Sequence, residues 1–118
     1  NAYTRRLVGY PDARLRIAQV RFPGGPGASS HHLELVQYLS PQGTRGDANI
    51  CNPGAAHLAF AVEDLDARYE AMSAAGIRFL SAPNEITAGV NRGGKAVYFL
   101  GPDDIVHELV QPPRSAAA

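Results

Sequence analysis

Residues 57–76 read HLAFAVEDLDARYEAMSAAG, a strand pattern that is followed directly by a helix pattern. Small and bulky side chains alternate over the first six residues. In a strand, His57 therefore shares one face with two alanines, and the bulky side chains lie on the other face. These bulky residues are Leu58, Phe60 and Val62. Asp64 is suited to cap the helix at its start, and Gly76 is suited to end it. We therefore expect the bulky face to pack against the helix and the small-residue face to leave room for a cavity.

Three further strands are predicted after this helix. Residues 77–80 read as a short strand, and a loop rich in Gly, Pro and Asn covers residues 81–94. Two more strands are predicted at 95–100 and 105–110, joined by a Gly-Pro-Asp-Asp turn. The predicted order of elements is therefore β-α-β-β-β.

The first half of the chain contains the end of a similar unit. Strands are predicted at 15–22 and 31–38, on either side of a Pro- and Gly-rich loop. The tetrapeptide Glu-Leu-Val-Gln occurs at 34–37 and again at 108–111, each time near the end of a β-like run. This repeat raises the possibility that two copies of one unit each contribute a carboxylate to a shared site.

The repeat also predicts where the two modules lie. In the second module, 51 positions separate His57 on the first strand from Glu108 on the last strand. The same separation counted back from Glu34 would place the first strand of the first module before residue 1. The first dozen residues also show no helical stripe. We expect residues 1–50 to form an incomplete first βαβββ module, which lacks its opening strand and helix. Residues 51–118 would form a complete second module. The expected fold class is α+β, with paired modules forming a curved mixed-sheet cup and helices outside.

Composition limits the classes of partner. The chain has 118 residues, 45% of them hydrophobic, and a formal net charge of zero, which argues against a nucleic acid or an anionic membrane as the main partner. No apolar run has the length of a membrane span, and we expect neither a membrane span nor a signal peptide. The single cysteine, Cys51, excludes an internal disulfide and predicts a cytoplasmic protein; its thiol is either incidental or a nucleophile or ligand.

Histidine and glutamate residues on the predicted strands form a candidate metal site. His57 lies on the cavity side of its strand, and Glu34 and Glu108 occupy equivalent positions in the two repeats. An imidazole nitrogen and two carboxylates suit Zn, Ni, Co, Mn or Fe(II). Considered alone, a histidine in a strand is more often a hydrogen-bonded structural residue than a metal ligand. A glutamate in a strand is likewise more often exposed to solvent than bound to a metal. His32, on the same face as Glu34, is either a substitute ligand or a pocket residue.

Residues 57–80 and 93–113 resemble the second βαβββ module of the vicinal oxygen chelate superfamily, the fold of glyoxalases, bleomycin-resistance proteins and extradiol dioxygenases. Residues 15–22 and 31–41 resemble the last two strands of its first module. The most specific features are the histidine that opens HLAFAV, the helix start EDLDA, and the Pro-Asp turn that precedes Glu108.

The resemblance implies a divalent metal ion and no organic cofactor. Each module of that family supplies a histidine, or a substitute, from its first strand and a glutamate from its last strand. The ligands carried over are therefore His57, Glu108 and Glu34. The fourth ligand has no matching position here, so a residue outside this chain, a swapped segment, His32 or water would take its place.

The turn before the last strand departs from the family pattern. The family usually has Asp-Pro-Asp-Gly, whereas residues 101–104 read Gly-Pro-Asp-Asp. The family's glycine serves a positive φ angle, which aspartate tolerates better than most residues do. We expect a similar turn with slight strain.

The resemblance implies a glyoxalase-like lyase or isomerase that acts on a small α-oxygenated carbonyl compound, such as a thiol conjugate or thioester, through enolate stabilisation. Glu34 or Glu108 would be the catalytic base. An extradiol-type dioxygenase is a weaker alternative, because GVNRGGKAV contains no histidine and Gly101 replaces an acidic residue. A metal-free drug-binding protein of the same fold is the third alternative.

Substrate-binding residues are expected around the cup. Tyr98 and His32 are candidate pocket residues, and Arg92 and Lys95 could hold an anionic group of the substrate. A packing role for Tyr98 and a solvated loop around Arg92 are the alternatives. A small-molecule substrate is expected, and a homodimer is expected because members of this fold commonly pair and a missing strand exposes a sheet edge.

Overall fold

The computed structural model describes residues 1–23, 31–47 and 49–114. Its contacts divide the chain into two compact units, Asn1–Gly46 and Asp47–Ala118. Both helices and strands are present, which confirms the predicted α+β class. Each sheet is open and uncurled, so the expected cup is not a property of either sheet alone.

The first unit contains helix α1 (Ala2–Val8) and strands β1 (Arg14–Arg21) and β2 (His32–Ser40). The two strands pair in antiparallel fashion. The predicted loop between them lies outside the described residues except for its first residue, Pro23. The strands lie within one or two residues of the bounds that the alternating pattern predicted.

Helix α1 corrects the prediction that no helix precedes these strands. The Asn1 side chain accepts a hydrogen bond from the Thr4 backbone N–H at 3.0 Å, and Gly9 ends the helix with a φ of 76°. Arg5 Nε also donates to the Ala13 carbonyl oxygen at 3.3 Å. The helix buries none of its own residues, so it needs no apolar stripe. The prediction missed this helix because it relied on such a stripe.

The second unit follows the β-α-β-β-β order and has one additional short strand. Its elements are β3 (Leu58–Ala61), α2 (Leu65–Ala74), β4 (Arg78–Phe79), β5 (Asn84–Glu85), β6 (Lys95–Leu100) and β7 (Val106–Gln111). The strand order is β3-β7-β6-β4, and β5 also pairs with β6. Strands β3 and β7 are parallel, and the other pairs are antiparallel. Strand β5 was predicted as loop because two residues are too short for a periodic pattern.

Helix α2 covers one face of this sheet. Asp64 caps it by accepting from the Ala67 N–H at 2.9 Å, and Gln111 Oε1 accepts from the Leu65 N–H at 2.8 Å. The buried core consists of Leu65, Val97 and Leu109. Phe60, Val62, Met72, Phe79 and Phe99 pack against it. The prediction that the bulky face of the first strand packs against the helix is confirmed for Phe60 and Val62.

The turn between β6 and β7 is a short 3-10 helix, Pro102–Asp104. Asp103 and Asp104 have φ angles of 60° and 58°. The position where the family has glycine is therefore left-handed here, as predicted, and an aspartate occupies it. Arg78 lies 2.5 Å from the Asp104 carboxylate and helps to hold this turn. None of the helices in the described ranges is long and apolar enough to cross a membrane.

Candidate active site

Strand register places three candidate side chains together on the face of the sheet opposite to α2. Glu108 on β7 is paired with Ala59 on β3 and with Tyr98 on β6. His57 lies two residues before Ala59, so its side chain points to the same side. The residues of β3 and β6 that face this side include three alanines: Ala59, Ala61 and Ala96. The small side chains leave the imidazole, the carboxylate and the phenol accessible.

The three side chains contact one another. His57 Nε2 lies 3.2 Å from Glu108 Oε2, which is hydrogen-bonding distance. The His57 ring meets the Tyr98 ring edge-on, with centroids 5.1 Å apart and an interplanar angle of 72°. The side chain of Glu108 is 20% exposed and that of His57 is 37% exposed. The site is therefore open to a ligand, although Glu108 is partly shielded from water.

A cavity of about 190 Å³ adjoins Glu108 on this face. Its lining residues are Ser81, Asn84, Ala96, Val97, Tyr98 and Glu108. The sequence analysis placed Ser81 and Asn84 in the loop predicted at residues 81–94 and gave neither a role in the site. A two-residue strand gives no periodic signal, so pairing with β6 is what places Asn84 beside the site.

The candidate residues of the first unit lie on β2. Glu34 is paired in register with Gln19, whose Nε2 donates a hydrogen bond to the Glu34 carboxylate. His32 begins the strand opposite Arg21 and is exposed. The even spacing of His32 and Glu34 places both side chains on one face of the hairpin, as predicted.

The two cations predicted to bind substrate do not line the cavity. The Lys95 ammonium pairs with the Asp66 carboxylate on α2, on the face opposite to Glu108. Arg92 lies exposed in the loop before β6. The alternation of β6 explains the direction of Lys95, because residues 95, 97 and 99 face the helix while Tyr98 faces the cavity.

The donor atoms of the second unit fit a divalent cation in part. His57 Nε2 and Glu108 Oε2 converge, and an imidazole nitrogen with a carboxylate oxygen is a common ligand pair for Zn, Ni, Co, Mn or Fe(II). Within the described residues of either unit, no three His, Cys, Asp or Glu side chains form a metal-binding group. Each unit taken alone therefore offers fewer ligands than a complete site needs.

His107 and Cys51 lie away from these side chains. The His107 ring packs near Phe60 and Phe99 on the helix side, with centroid distances of 6.0 Å and 5.4 Å.

Cys51 is a free, exposed thiol in a turn that follows Asp47. The pKa of Asp47 is lowered because its carboxylate accepts a hydrogen bond from the Asn49 backbone N–H.

The chain is similar to known proteins over nearly all of its length. A family model described as the Glyoxalase/Bleomycin resistance protein/Dioxygenase superfamily matches residues 4–99. A 2-epi-5-epi-valiolone epimerase from Actinomyces sp is 37% identical over 114 residues, which make up 96% of this chain and 60% of that protein. The chain therefore spans less than two thirds of the length of this curated relative.

Similarity to solved structures supports the same fold. A glyoxalase family protein from Bacillus cereus, known from its crystal structure, aligns with a TM-score of 0.74 and 21% sequence identity. The alignment covers 96% of this chain and 72% of that one. Together with the family-model match and the β-α-β-β-β order of the second unit, this shows that the chain belongs to the glyoxalase/bleomycin resistance protein/dioxygenase superfamily, the vicinal oxygen chelate fold.

Proposed function

We propose that this chain forms part of a metal-dependent isomerase that inverts a stereocentre next to the carbonyl group of a small oxygenated substrate. The observation that carries the proposal is the contact of His57 with Glu108 on the open face of the sheet. The relative named as an epimerase supports this reaction among the lyase and isomerase reactions implied by the family resemblance. The name of its substrate ends in "-one", the ending of a ketone.

Inversion beside a carbonyl needs a base and an acid. In the proposal, a carboxylate takes the proton from the carbon next to the carbonyl, and the C–H electron pair forms the double bond of an enolate. A protonated carboxyl group on the other side then returns a proton to that carbon. Glu108 and Glu34, one from each proposed module, are assigned these two roles. The proposed modules keep the predicted bounds, residues 1–50 and 51–118, and the first includes helix α1.

His57, Glu108 and Glu34 are also the proposed metal ligands. They would hold a divalent cation, which would supply positive charge for the developing enolate oxygen. Contact with Glu108 restricts the His57 ring, and the Tyr98 ring packs against the same imidazole in a T-shaped arrangement. Both contacts reduce the orientational freedom that His57 would lose on binding a cation.

Solvent-deuterium exchange tests the proposed reaction. The protein is loaded in turn with Zn, Ni, Co, Mn or Fe(II) and incubated in D₂O with 2-epi-5-epi-valiolone and with other small ketones, and the α-carbon signals are followed by ¹H NMR. We expect deuterium to replace the α-proton, and we expect Glu108→Gln to slow this exchange by about 100-fold or more, because the amide cannot accept the proton.

The control for this experiment is Glu70→Gln, which removes an exposed carboxylate on α2. It should exchange like the wild type. Equal exchange by wild type and Glu108→Gln would contradict the assigned role of Glu108. If no metal loads in stoichiometric amount but the ketones still bind, the metal-free binding protein becomes the better assignment.

We further propose that two chains pair. Strand β3 is an edge strand of its sheet, and Leu58 on it is 46% exposed. An exposed sheet edge with apolar side chains favours association with another chain. Light scattering after size-exclusion chromatography should give twice the mass of the chain, and a monomer mass at all concentrations would contradict this.

A further inference from the structure

We infer that the substrate of this site is an uncharged carbonyl compound with several hydroxyl groups, and that Asn84 accepts a hydrogen bond from one of these hydroxyls. The inference rests on the proposed function, because it takes the face that carries Glu108 as the substrate-binding face. It adds a substrate class and a specificity-determining residue to that function.

The position of Asn84 follows from strand pairing. Asn84 on β5 is paired with Ala96 on β6, and Tyr98 follows two residues later on the same face. Asn84 and Glu108 line the same cavity of about 190 Å³. The small Ala96 side chain leaves space beside Asn84. A ligand in this cavity can therefore contact the Asn84 amide while its reacting carbon lies near the Glu108 carboxylate.

The orientation of Asn84 is fixed by its neighbours. Its Nδ2 donates to Ser81 Oγ at 2.8 Å and to the Ala82 carbonyl oxygen at 2.9 Å. Ser81 Oγ in turn donates to the Ala82 carbonyl oxygen at 2.8 Å. These contacts use both hydrogens of the Asn84 amide. No donor from the described residues contacts Asn84 Oδ1 in a hydrogen bond, so this oxygen is available to accept from a ligand hydroxyl.

The charge of the cavity favours an uncharged ligand. Its lining includes one carboxylate, Glu108, and no Lys or Arg among the described residues. Lys95 is on the opposite face with Asp66, and Arg92 is not part of the lining. At the part of the cavity that Ser81 and Asn84 line, an anionic group would meet the Asn84 amide oxygen, itself an acceptor, and no cation from the lining, whereas a hydroxyl needs one neutral acceptor. Sequence analysis assigned Arg92 and Lys95 to an anionic group of the substrate. In this inference, Asn84 instead binds a hydroxyl group of the substrate.

Binding measurements separate these substrate classes without requiring turnover. Isothermal titration is carried out on the metal-loaded wild type and on Asn84→Ala and Asn91→Ala, with three probes: 2-epi-5-epi-valiolone, cyclohexanone as a ketone without hydroxyls, and 4-oxocyclohexanecarboxylate as an anionic ketone that cannot chelate a metal ion through both groups. Asn91 is the matched control because it belongs to the same loop region but does not line the cavity. Circular dichroism checks that the variants are folded.

We expect the hydroxylated ketone to bind the wild type more tightly than either other probe does. Asn84→Ala should weaken its binding by about tenfold, which is the size of one hydrogen bond to a neutral group. The same substitution should leave cyclohexanone binding unchanged, and Asn91→Ala should leave all three unchanged. Unchanged binding of the hydroxylated ketone to Asn84→Ala, or tighter binding of 4-oxocyclohexanecarboxylate by the wild type, would overturn the inference.

The deuterium-exchange experiment distinguishes failure of this inference from failure of the proposed function. If exchange into a ketone depends on Glu108 but binding is insensitive to Asn84, the isomerase proposal stands and the substrate class is wrong. If binding of the hydroxylated ketone depends on Asn84 but no ketone exchanges with any metal, the cavity is a binding site and the isomerase proposal fails.

Discussion

At the scale of the residue, Gly94 shows how closely two backbone segments approach beside the paired strands β6 and β7. A Cβ atom at this position would overlap the Gln111 carbonyl oxygen and would lie 3.0 Å from the Asn91 carbonyl oxygen. Backbone atoms held by strand pairing cannot move aside as the end of a flexible side chain can. Glycine at this position is therefore a requirement of space.

Gly94→Ala should destabilise the protein by about 3 kcal/mol, because the strand ends must shift to admit one methyl group. Urea unfolding followed by circular dichroism measures the change. Gly43→Ala is the control, since a Cβ there has no neighbour within 4 Å, and we expect it to stay within about 0.5 kcal/mol of the wild type. Coincident unfolding curves for Gly94→Ala and the wild type would show that the backbone relaxes freely.

The same scale explains why His57 and Lys95, both near strand starts, have different surroundings. His57 has alanines on its face and remains accessible, whereas Lys95 shares a face with Val97 and Phe99 and reaches Asp66. In each case the residue two positions further along the strand shows which face of the sheet the side chain lies on. Applied to β6, the alternation that was used for β3 would have placed Lys95 on the helix side from sequence.

At the scale of the element, α2 is held to the sheet by its first residue. Leu65 has no exposed surface, and it contacts Val97 and Leu109 in the core. Its backbone N–H also donates to Gln111 at the end of β7. The helix start is thereby hydrogen bonded to the strand that carries Glu108, so we expect loosening of the helix to displace β7.

Leu65→Ala should cost about 2–5 kcal/mol of stability, since it empties a buried site at the centre of the core. Leu80→Ala is the matched control, because Leu80 is 52% exposed and its removal leaves a smaller void. We expect it to cost less than half as much. Thermal unfolding of both variants checks this, and equal midpoints would mean that α2 does not depend on Leu65.

At the scale of the whole molecule, the two units each carry one copy of Glu-Leu-Val-Gln. Glu34 lies in Asn1–Gly46, and His57 and Glu108 lie in Asp47–Ala118. Glu34, His57 and Glu108 are the proposed metal ligands. A cation that binds the native state but not the unfolded chain raises the stability of every part that it joins.

Addition of Ni or Zn should raise the thermal unfolding midpoint of the wild type, and excess chelator should reverse the increase. His57→Ala and Glu34→Gln should each reduce the increase, because each removes one proposed ligand from a different unit. Glu70→Gln should keep it in full. If Glu34→Gln responds to metal like the wild type while His57→Ala does not, the site belongs to the second unit alone.

Local patterns in the sequence were sufficient to predict the β-α-β-β-β order of the second unit and to identify the family. Alternation at His57–Val62 separates a bulky face from a small-residue face, and Asp64 and Gly76 mark the ends of the helix region. These signals act between residues that are close along the chain, so periodicity and capping residues reveal them. The resemblance that named the superfamily depends on the same residues and is confirmed.

Tertiary structure decided which side chains meet. His57 contacts Glu108 because β3 and β7 are parallel neighbours, although 51 positions separate the two residues. Asn84 reaches the cavity because two residues of the predicted loop pair with β6. Helix α1 formed although it buries no residue and shows no stripe. Pairing between distant strands depends on backbone groups that every residue carries, so the partner of a strand leaves little trace in its own sequence.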